Sequence, residues 1–309
     1  MKIGILGMGG IGSFIGVKLT KNYENDPETN IVFICRNDTK KAINTNGLSL
    51  TSEGKTTTVT PYLATDDTKK IGELDILIVA TKSFSLDGTI SKYQDCIKDD
   101  TVIIPFQNGV NAKNSIQENI THNSNKILEG CIYIASNIDK PGVVKHVGGP
   151  GKIVFGNSDA TDYKWVEDVL VKGGLSATYT KDIKTFLWKK YLFVSPLATI
   201  TTALNLTFGE VAESAKHMDL LKQMMQEIQA LAAKSNITLS DKDIETSLGM
   251  LSNFPHKSKT SLQLDFENKH KNTEKDDLVD YVVSASATFG ITAKNYTEMS
   301  AKIASRYKL

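Results

Sequence analysis

Residues 2–12, Lys-Ile-Gly-Ile-Leu-Gly-Met-Gly-Gly-Ile-Gly, set a short apolar run directly before three glycines spaced Gly7-x-Gly9-x-x-Gly12. A buried strand feeding a glycine turn and then a helix builds an anion site from backbone alone. Gly7 admits the tight turn, Gly9 lets the backbone approach a diphosphate, and Gly12 lets the helix pack closely on the strand, with the phosphates at the positive helix N-terminus. Such a glycine pattern in isolation is weak, but here its context is complete. Ile3, Ile5 and Leu6 supply the strand, and Phe14, Ile15 and Leu19 recur at helical spacing. A dinucleotide-binding α/β domain is therefore expected, with Gly7, Met8, Gly9, Gly10, Ile11 and Gly12 as its phosphate loop.

A second apolar run, Ile31-Val-Phe-Ile-Cys35, is followed at once by Arg36. The residue ending this strand meets the adenosine ribose, where a carboxylate suits the 2′-hydroxyl of NAD and an arginine suits the 2′-phosphate of NADP. Asp38 stands close by, but the chain has only two arginines, Arg36 and Arg306, among 36 lysines and arginines. In a sequence that uses lysine almost everywhere, an arginine marks a need for its planar, bidentate fork. NADP (NADPH) is the expected cofactor.

Bulk properties narrow the field further. A chain of 309 residues can bury a large core and divide into two domains. Its formal charge of +1 recommends neither nucleic acid nor an anionic membrane as a partner. No apolar stretch reaches transmembrane length, and no secretory leader is visible before the first strand. Cys35, Cys96 and Cys131 are far apart and read as reduced, buried thiols of a cytoplasmic protein. The five histidines show no metal-binding spacing, so no metal site is expected.

Strands and helices alternate through the first half. Leu48–Leu50 and residues 56–63 read as short exposed strands around Glu53-Gly54-Lys55, and residues 75–80 and 101–104 as buried parallel strands bridged by a helix over 86–98. Residues 127–135 and 152–155 are strands around a glycine- and proline-rich hairpin, Pro141-Gly142 and then Gly148-Gly149-Pro150-Gly151, and the second cluster reads as turn chemistry only. A helix over 161–173 and an edge strand over 177–180 follow. From residue 182 the pattern is helical, over 182–203, 208–235, 241–251, 258–268, 274–289 and 292–307. This divides the chain into a nucleotide-binding domain, 1–181, and a helical substrate domain, 182–309. The apolar stripe of Leu220, Leu221, Met224, Met225, Ile228 and Leu231 means core or subunit interface, which leaves room for a homodimer.

Reduction of a ketone needs a proton donor beside the carbonyl oxygen, a site for the substrate's anionic group, and exclusion of water. Two arginines, one already assigned, argue against a histidine–aspartate–arginine design; lysine is the alternative donor. Lys82 follows the strand over 75–80, Gln107-Asn108-Gly109 follows the strand over 101–104, and Lys190 stands early in the first helix of the second domain. The carboxyl ends of the strands are where ligands bind in open α/β sheets.

The glycine turn with Arg36, Ala80-Thr-Lys82, Gln107-Asn-Gly109, Pro141-Gly-Val-Val-Lys-His146, Trp188-x-Lys190, Thr260-Ser-Leu-x-x-Asp265 and Thr273-Glu274 occur in an order that resembles the ketopantoate reductases (2-dehydropantoate 2-reductases) over nearly the whole chain. The resemblance implies a Rossmann-type α/β domain joined to an all-α domain of the 6-phosphogluconate dehydrogenase C-terminal-like fold. It also implies NADPH-dependent reduction of ketopantoate, a small anionic 2-oxo acid, to pantoate on the route to pantothenate and coenzyme A. By position, Lys190 matches the catalytic lysine, Glu274 a polar partner in the active site that also meets the cofactor, and Ser261 the serine that binds the substrate carboxylate. Lys82 and Asn108 match residues that line the space between cofactor and substrate and touch both. The sequence departs from the family at Val194 and Ala198, four and eight residues after Lys190, where its best-characterised form has asparagines; Ser195 or Thr199 is expected to supply the missing hydrogen bonds. Reduction of another small 2-oxo acid, or nucleotide binding by a regulator without turnover, are the competing readings. A hydroxyisobutyrate-type dehydrogenase would carry a Lys-x-x-Asn pattern, which Lys190–Phe193 does not supply, and a methyltransferase would want an acidic residue where Arg36 stands.

Overall fold

The computed structural model describes residues 1–121, 126–159 and 161–308. Among the described residues there are ten strands: β1 (Lys2–Leu6), β2 (Asn30–Ile34), β3 (Leu48–Ser52), β4 (Lys55–Val59), β5 (Leu63–Thr65), β6 (Leu74–Val79), β7 (Ile97–Pro105), β8 (Glu129–Lys140), β9 (Val143–Gly156) and β10 (Ser176–Thr180). Among them run α1 (Gly10–Asn22), α2 (Asn37–Asn46), α3 (Thr68–Ile71), α4 (Leu86–Lys92), α5 (Ala112–Asn119) and α6 (Lys164–Lys172). The helical part holds α7 (Ile183–Leu204), α8 (Phe208–Ala212), α9 (Ala215–Lys234), α10 (Asp241–Met250), α11 (Ser261–Glu267), α12 (Tyr281–Thr288) and α13 (Lys294–Tyr307). The chain separates into two compact units, residues 1–107 with 111–183, and residues 108–110 with 184–309.

In the first unit, an all-parallel sheet has the order β5-β2-β1-β6-β7. Its near-continuous apolar strands are buried on both faces, as parallel sheets require. Alternate residues go to opposite sides: Ile3, Ile5, Phe33, Ile76 and Ile78 join α1 in one core, while Leu6, Val32, Ile34, Leu77 and Val79 join Leu86, Ile90 and Ile116 in another. The order reverses direction between β1 and β6, which makes the carboxyl ends of those two strands the switch point where ligands bind in such sheets. The α/β class expected from the sequence is therefore the observed one.

A second sheet, β10-β9-β3-β4 with β8 on β9, covers the other side of α1. That explains why α1 buries nearly every residue from Gly12 to Thr20 instead of one stripe. The strands expected to be exposed are half-buried: Leu48, Leu50 and Val59 enter the core. The run over 56–63 divides in two, because alternation ends at Val59 and Pro61 has no N–H for a ladder. The chain then joins the parallel sheet as β5. The Gly148–Gly151 cluster is not a turn. It lies inside β9 as a bulge opposite β8, while Pro141-Gly142 makes the hairpin turn as expected.

The second unit is helical, with the expected elements trimmed by their caps. The 208–235 helix breaks at Glu213-Ser214, where the Ser214 hydroxyl accepts from His217 N–H and starts α9. Thr260 does the same for α11. A π-helical turn, Asp276–Asp280, precedes α12. The apolar stripe of α9 is largely consumed at home: Leu221, Met224, Met225, Ile228 and Leu231 are fully buried in the unit's own core, so they lend no support to a homodimer. Among the described residues no helix is long and apolar enough to cross a membrane.

α13 has no side-chain cap of its own; Glu227 of α9 caps it from outside. The carboxylate accepts from Asn295 N–H at 2.8 Å, Tyr296 N–H at 3.1 Å and Asn295 Nδ2 at 2.9 Å. Glu227→Ala leaves those donors to find other partners, and a loss of about 2 kcal/mol in urea unfolding is expected. A change below about 0.5 kcal/mol, the level of ordinary surface substitutions, would show that the cap is not stabilising.

Candidate active site

β1 ends at Leu6 and the chain turns at Gly7, whose φ of +95° is a conformation that L side chains rarely adopt. Three of the glycines have distinct reasons. A Cβ at Gly7 would meet Thr81 N at 2.8 Å, and one at Gly12 would lie 1.9 Å from the Gly7 carbonyl oxygen. At Gly9 a Cβ would meet nothing within 4 Å. The turn is thus closed against the protein at Gly7 and Gly12 and open at Gly9. The N-cap of α1 is Gly9, which has no side chain to accept from the first N–H groups of the helix. A diphosphate fits this cradle of bare backbone at a helix N-terminus. Met8 is buried and offers its carbonyl to the Ser13 hydroxyl at 3.2 Å, which fixes the turn from inside. Gly10 and Ile11 open the helix.

Two further expected residues stand at the same edge of the sheet. Arg36 is exposed just past the end of β2, and register pairs Leu6 with Ile34, so Gly7 and Cys35 are level. Lys82 is exposed just past the end of β6, in the turn whose Thr81 touches Gly7. Gln107, quoted in a motif but not singled out from sequence, holds that turn. It is buried, and its Nε2 donates to Thr81 O at 3.2 Å and Val79 O at 3.4 Å. The signal that could have found it is a glutamine at the end of an otherwise apolar strand, where a buried amide must have partners.

In the helical unit, Lys190 Nζ donates to Asn108 Oδ1 at 3.0 Å. Asn108–Val110 groups with this unit, although it directly follows β7 and Gln107. The two adjacent lysines of α7 point to different tasks, since neighbours on a helix are about 100° apart. Lys189 is ion-paired with Asp243 at 2.8 Å. Burial raises the Asp243 carboxyl, but the Lys189 ammonium and the Ser240 cap outweigh it and hold the pKa at about 2. Lys190 is half-buried, and the amide of Asn108 is one group that positions its ammonium.

Past Lys190, α7 is tied to the chain that follows Glu274 by buried hydroxyls. The Tyr191 hydroxyl donates to Asp277 O at 2.6 Å, and the Ser195 hydroxyl lies 2.6 Å from both Leu278 O and the Tyr296 hydroxyl. These bonds engage carbonyls of the π-helical turn, whose wider winding changes the usual ladder. Burial raises the Tyr191 and Tyr296 phenols well above their ordinary range, so both stay neutral donors. Ser195 and Thr199 therefore do not stand in for the missing asparagines. Both are fully buried and their hydroxyls are used internally, Thr199 on the Ser195 carbonyl at 2.8 Å. Val194 packs against the core and Ala198 is buried.

Ser261 is exposed on the first turn of α11; its neighbour Thr260 makes the cap and meets the Thr201 hydroxyl of α7 at 3.0 Å. Glu274 is only 3% exposed, at the entry to the π turn, where its carbonyl accepts from Leu278 N–H at 3.0 Å. Burial of a carboxyl group is costly unless it is partnered, which sets Glu274 apart from an ordinary first-turn glutamate. No group of three or more histidine, cysteine or acidic residues that could hold a metal is found among the described residues.

Comparison with known proteins bears on this arrangement directly. Residues 3–160 match the family described as ketopantoate reductase PanE/ApbA, and residues 182–305 match its C-terminal family. The chain belongs to the ketopantoate reductase family. It is 26% identical to the uncharacterised oxidoreductase YkpB of Bacillus subtilis over 95% of this chain and 94% of the relative. It is 24% identical to a 2-dehydropantoate 2-reductase of Streptococcus pyogenes, over 94% and 91%. Among solved structures, a PanE/ApbA family ketopantoate reductase from Ralstonia eutropha superimposes with a TM-score of 0.88 at 19% identity, covering 100% and 99%. D-mandelate dehydrogenase, solved with NADH and anilino(oxo)acetate, gives 0.87 at 20% identity over 100% and 99%. The family that the motifs resemble is thus the one matched, and so is its plan of an α/β unit followed by a helical one.

Proposed function

We propose that this member of the ketopantoate reductase family is an NADPH-dependent reductase that converts ketopantoate to pantoate, on the route to pantothenate and coenzyme A. The observation that carries the reading is the 3.0 Å bond from Lys190 Nζ to Asn108 Oδ1, which fixes a half-buried ammonium at the position that matches the family's catalytic lysine. A nicotinamide dinucleotide, when bound, supplies the hydride. The backbone of Gly7–Gly12 and the Arg36 guanidinium are its proposed contacts, with Lys82, Asn108 and Glu274 toward the reacting end. Lys190 stabilises the alkoxide that develops on the carbonyl oxygen and gives it a proton. The Ser261 hydroxyl is the proposed contact of the substrate carboxylate. Three buried free cysteines favour a reducing compartment, and the cytoplasm is the proposed location.

One observation favours a second reading of the substrate. Val194 and Ala198 are apolar where the resemblance expects amides, and the hydroxyls beside them are spent inside the protein. A site built around a hydroxyl loses discrimination when its partners become apolar. Another small 2-oxo acid, without the hydroxyl of ketopantoate, is then the better substrate. NADPH oxidation at 340 nm with ketopantoate and a panel of 2-oxo acids tests both readings. Consumption with none of them, alongside tight NADPH binding, would leave a regulator and overturn the proposal.

Arg36 carries the nucleotide choice. Arg36→Ala is expected to weaken NADPH binding ten- to a hundredfold, about the contribution of hydrogen bonds to a charged phosphate, with NADH affinity unchanged. Equal binding of the two nucleotides by the unaltered protein would remove this role from Arg36.

A further inference from the structure

Beneath the glycine turn lies the second glycine cluster, Gly148-Gly149-Pro150-Gly151, which no step above uses. Gly148 pairs with Ala135 and Lys152 with Tyr133, so three residues of β9 stand opposite one of β8. Gly149 and Gly151 take φ values of +77° and +65°, which the bulge requires. A bulge interrupts the ladder and leaves carbonyls in need of donors. His146 answers two of them: its Nε2 lies 3.0 Å from Gly148 O and 2.9 Å from Gly149 O, while its Nδ1 lies 2.9 Å from Ser52 Oγ. Both partners of Nε2 are carbonyl oxygens, so Nε2 is the donor to them, and Nδ1 shares its hydrogen bond with the serine hydroxyl.

The pinned bulge supports α1. Gly10 and Phe14 are one turn apart on the same helix face; Phe14 rests on the bulge and Gly10 on Ser136 of β8, level with His146. A Cβ at Gly10 would lie 2.1 Å from the carbonyl oxygen of Ser136, and Ser136 is the register partner of His146. The Phe14 ring meets the His146 ring edge-on, 5.2 Å between centroids, and a Cβ at Gly151 would lie 2.6 Å from Phe14 Cζ. The Ser136 hydroxyl donates to Lys145 O at 3.2 Å and ties the two strands at this level. Helix and sheet thus approach backbone to backbone directly behind the phosphate loop.

We propose that His146 is a positioning residue for the diphosphate site: by pinning the β9 bulge under Phe14, level with the Ser136 that carries Gly10, it sets where the N–H groups of the Gly9–Gly12 turn point. The inference rests on the dinucleotide reading above. Hydrogen bonds from a fixed backbone cradle fall off steeply with misalignment, so a small shift of that turn costs affinity for the diphosphate and little else.

The test uses the full-length protein, titrated with NADPH by fluorescence and with 2′-AMP by calorimetry. The second ligand carries the 2′-phosphate and adenosine but no diphosphate. His146→Ala is expected to weaken NADPH about tenfold, the size of one or two lost hydrogen bonds, and to leave 2′-AMP within about twofold. His146→Gln, whose amide can donate from nearly the same place as Nε2, is expected to recover NADPH binding to within about threefold of wild type. Unchanged NADPH affinity in His146→Ala overturns the proposal, and so does equal weakening of both ligands, which would mean general loosening. Should His146→Ala fail to fold by circular dichroism, Ser52→Ala decides. Removing only the Nδ1 partner is expected to cost about threefold in NADPH affinity, and wild-type affinity there counts against the role. Wild-type protein that binds no dinucleotide at all would instead overturn the functional reading itself.

Discussion

Lys190→Ala is expected to lower kcat for 2-oxo acid reduction about a thousandfold while NADPH affinity stays within about twofold, as befits a general acid that acts only as the alkoxide forms. The distinction matters because α7 carries two consecutive lysines. Lys189 is held by Asp243 at 2.8 Å, and Lys189→Ala should cost some stability and little rate. If the two variants lose activity equally, the lysines share a structural task and the catalytic assignment fails. Lys190→Arg should rescue little, since a guanidinium keeps its proton at any working pH and cannot donate it. Asn108→Ala should fall between wild type and Lys190→Ala. It removes the acceptor at 3.0 Å that fixes the ammonium but leaves the ammonium in place.

The parts of this molecule that were legible in advance depend on local chemistry. Ile3 to Gly12 reads as strand, turn and helix because each step is set by neighbouring residues: an apolar run, a positive-φ glycine and a helical spacing. The reversal of sheet order beside β1 then places Arg36 and Lys82 at the same edge, and the βα pattern implies that placement. What the sequence did not reveal are the long-range pairings. Gly148–Gly151 looks like a turn because glycine and proline mark turns, and only the pairing of β8 with β9 makes it a bulge. Ser195 and Thr199 look available beside Lys190 because a helical hydroxyl has no fixed partner until the π turn at Asp276–Asp280 is packed against it. The stripe on α9 could have faced a second chain, and only the packed core shows that it faces its own. Glu274 and Ser261 share a resemblance but differ in setting, one buried and one exposed, and burial is a tertiary property.

Within the phosphate loop, Gly12→Ala should be the most damaging single methyl group. Its Cβ would stand 1.9 Å from the Gly7 carbonyl oxygen, far inside van der Waals contact. The obstacle is backbone of the strand-ending turn, which no rotamer change can move aside. A loss of about 3 kcal/mol or more in unfolding free energy is expected, with NADPH binding lost in step. Gly9→Ala supplies the control at a distance of three residues. Its φ of −78° suits alanine, and the added carbon meets nothing within 4 Å. Stability should therefore stay within about 0.5 kcal/mol, because the restricted unfolded chain offsets the slightly poorer cap. The open space at Gly9 is, on the present reading, where the diphosphate lies. The same methyl that leaves the apo protein unchanged should then weaken NADPH by tenfold or more, a cost of about 1.4 kcal/mol. Thermal melts with and without nucleotide separate the two cases: Gly12→Ala lowers both curves, whereas Gly9→Ala lowers only the shift that the nucleotide adds. If Gly9→Ala keeps the full shift, the diphosphate does not approach that glycine, and the phosphate loop must be placed elsewhere on the sheet edge.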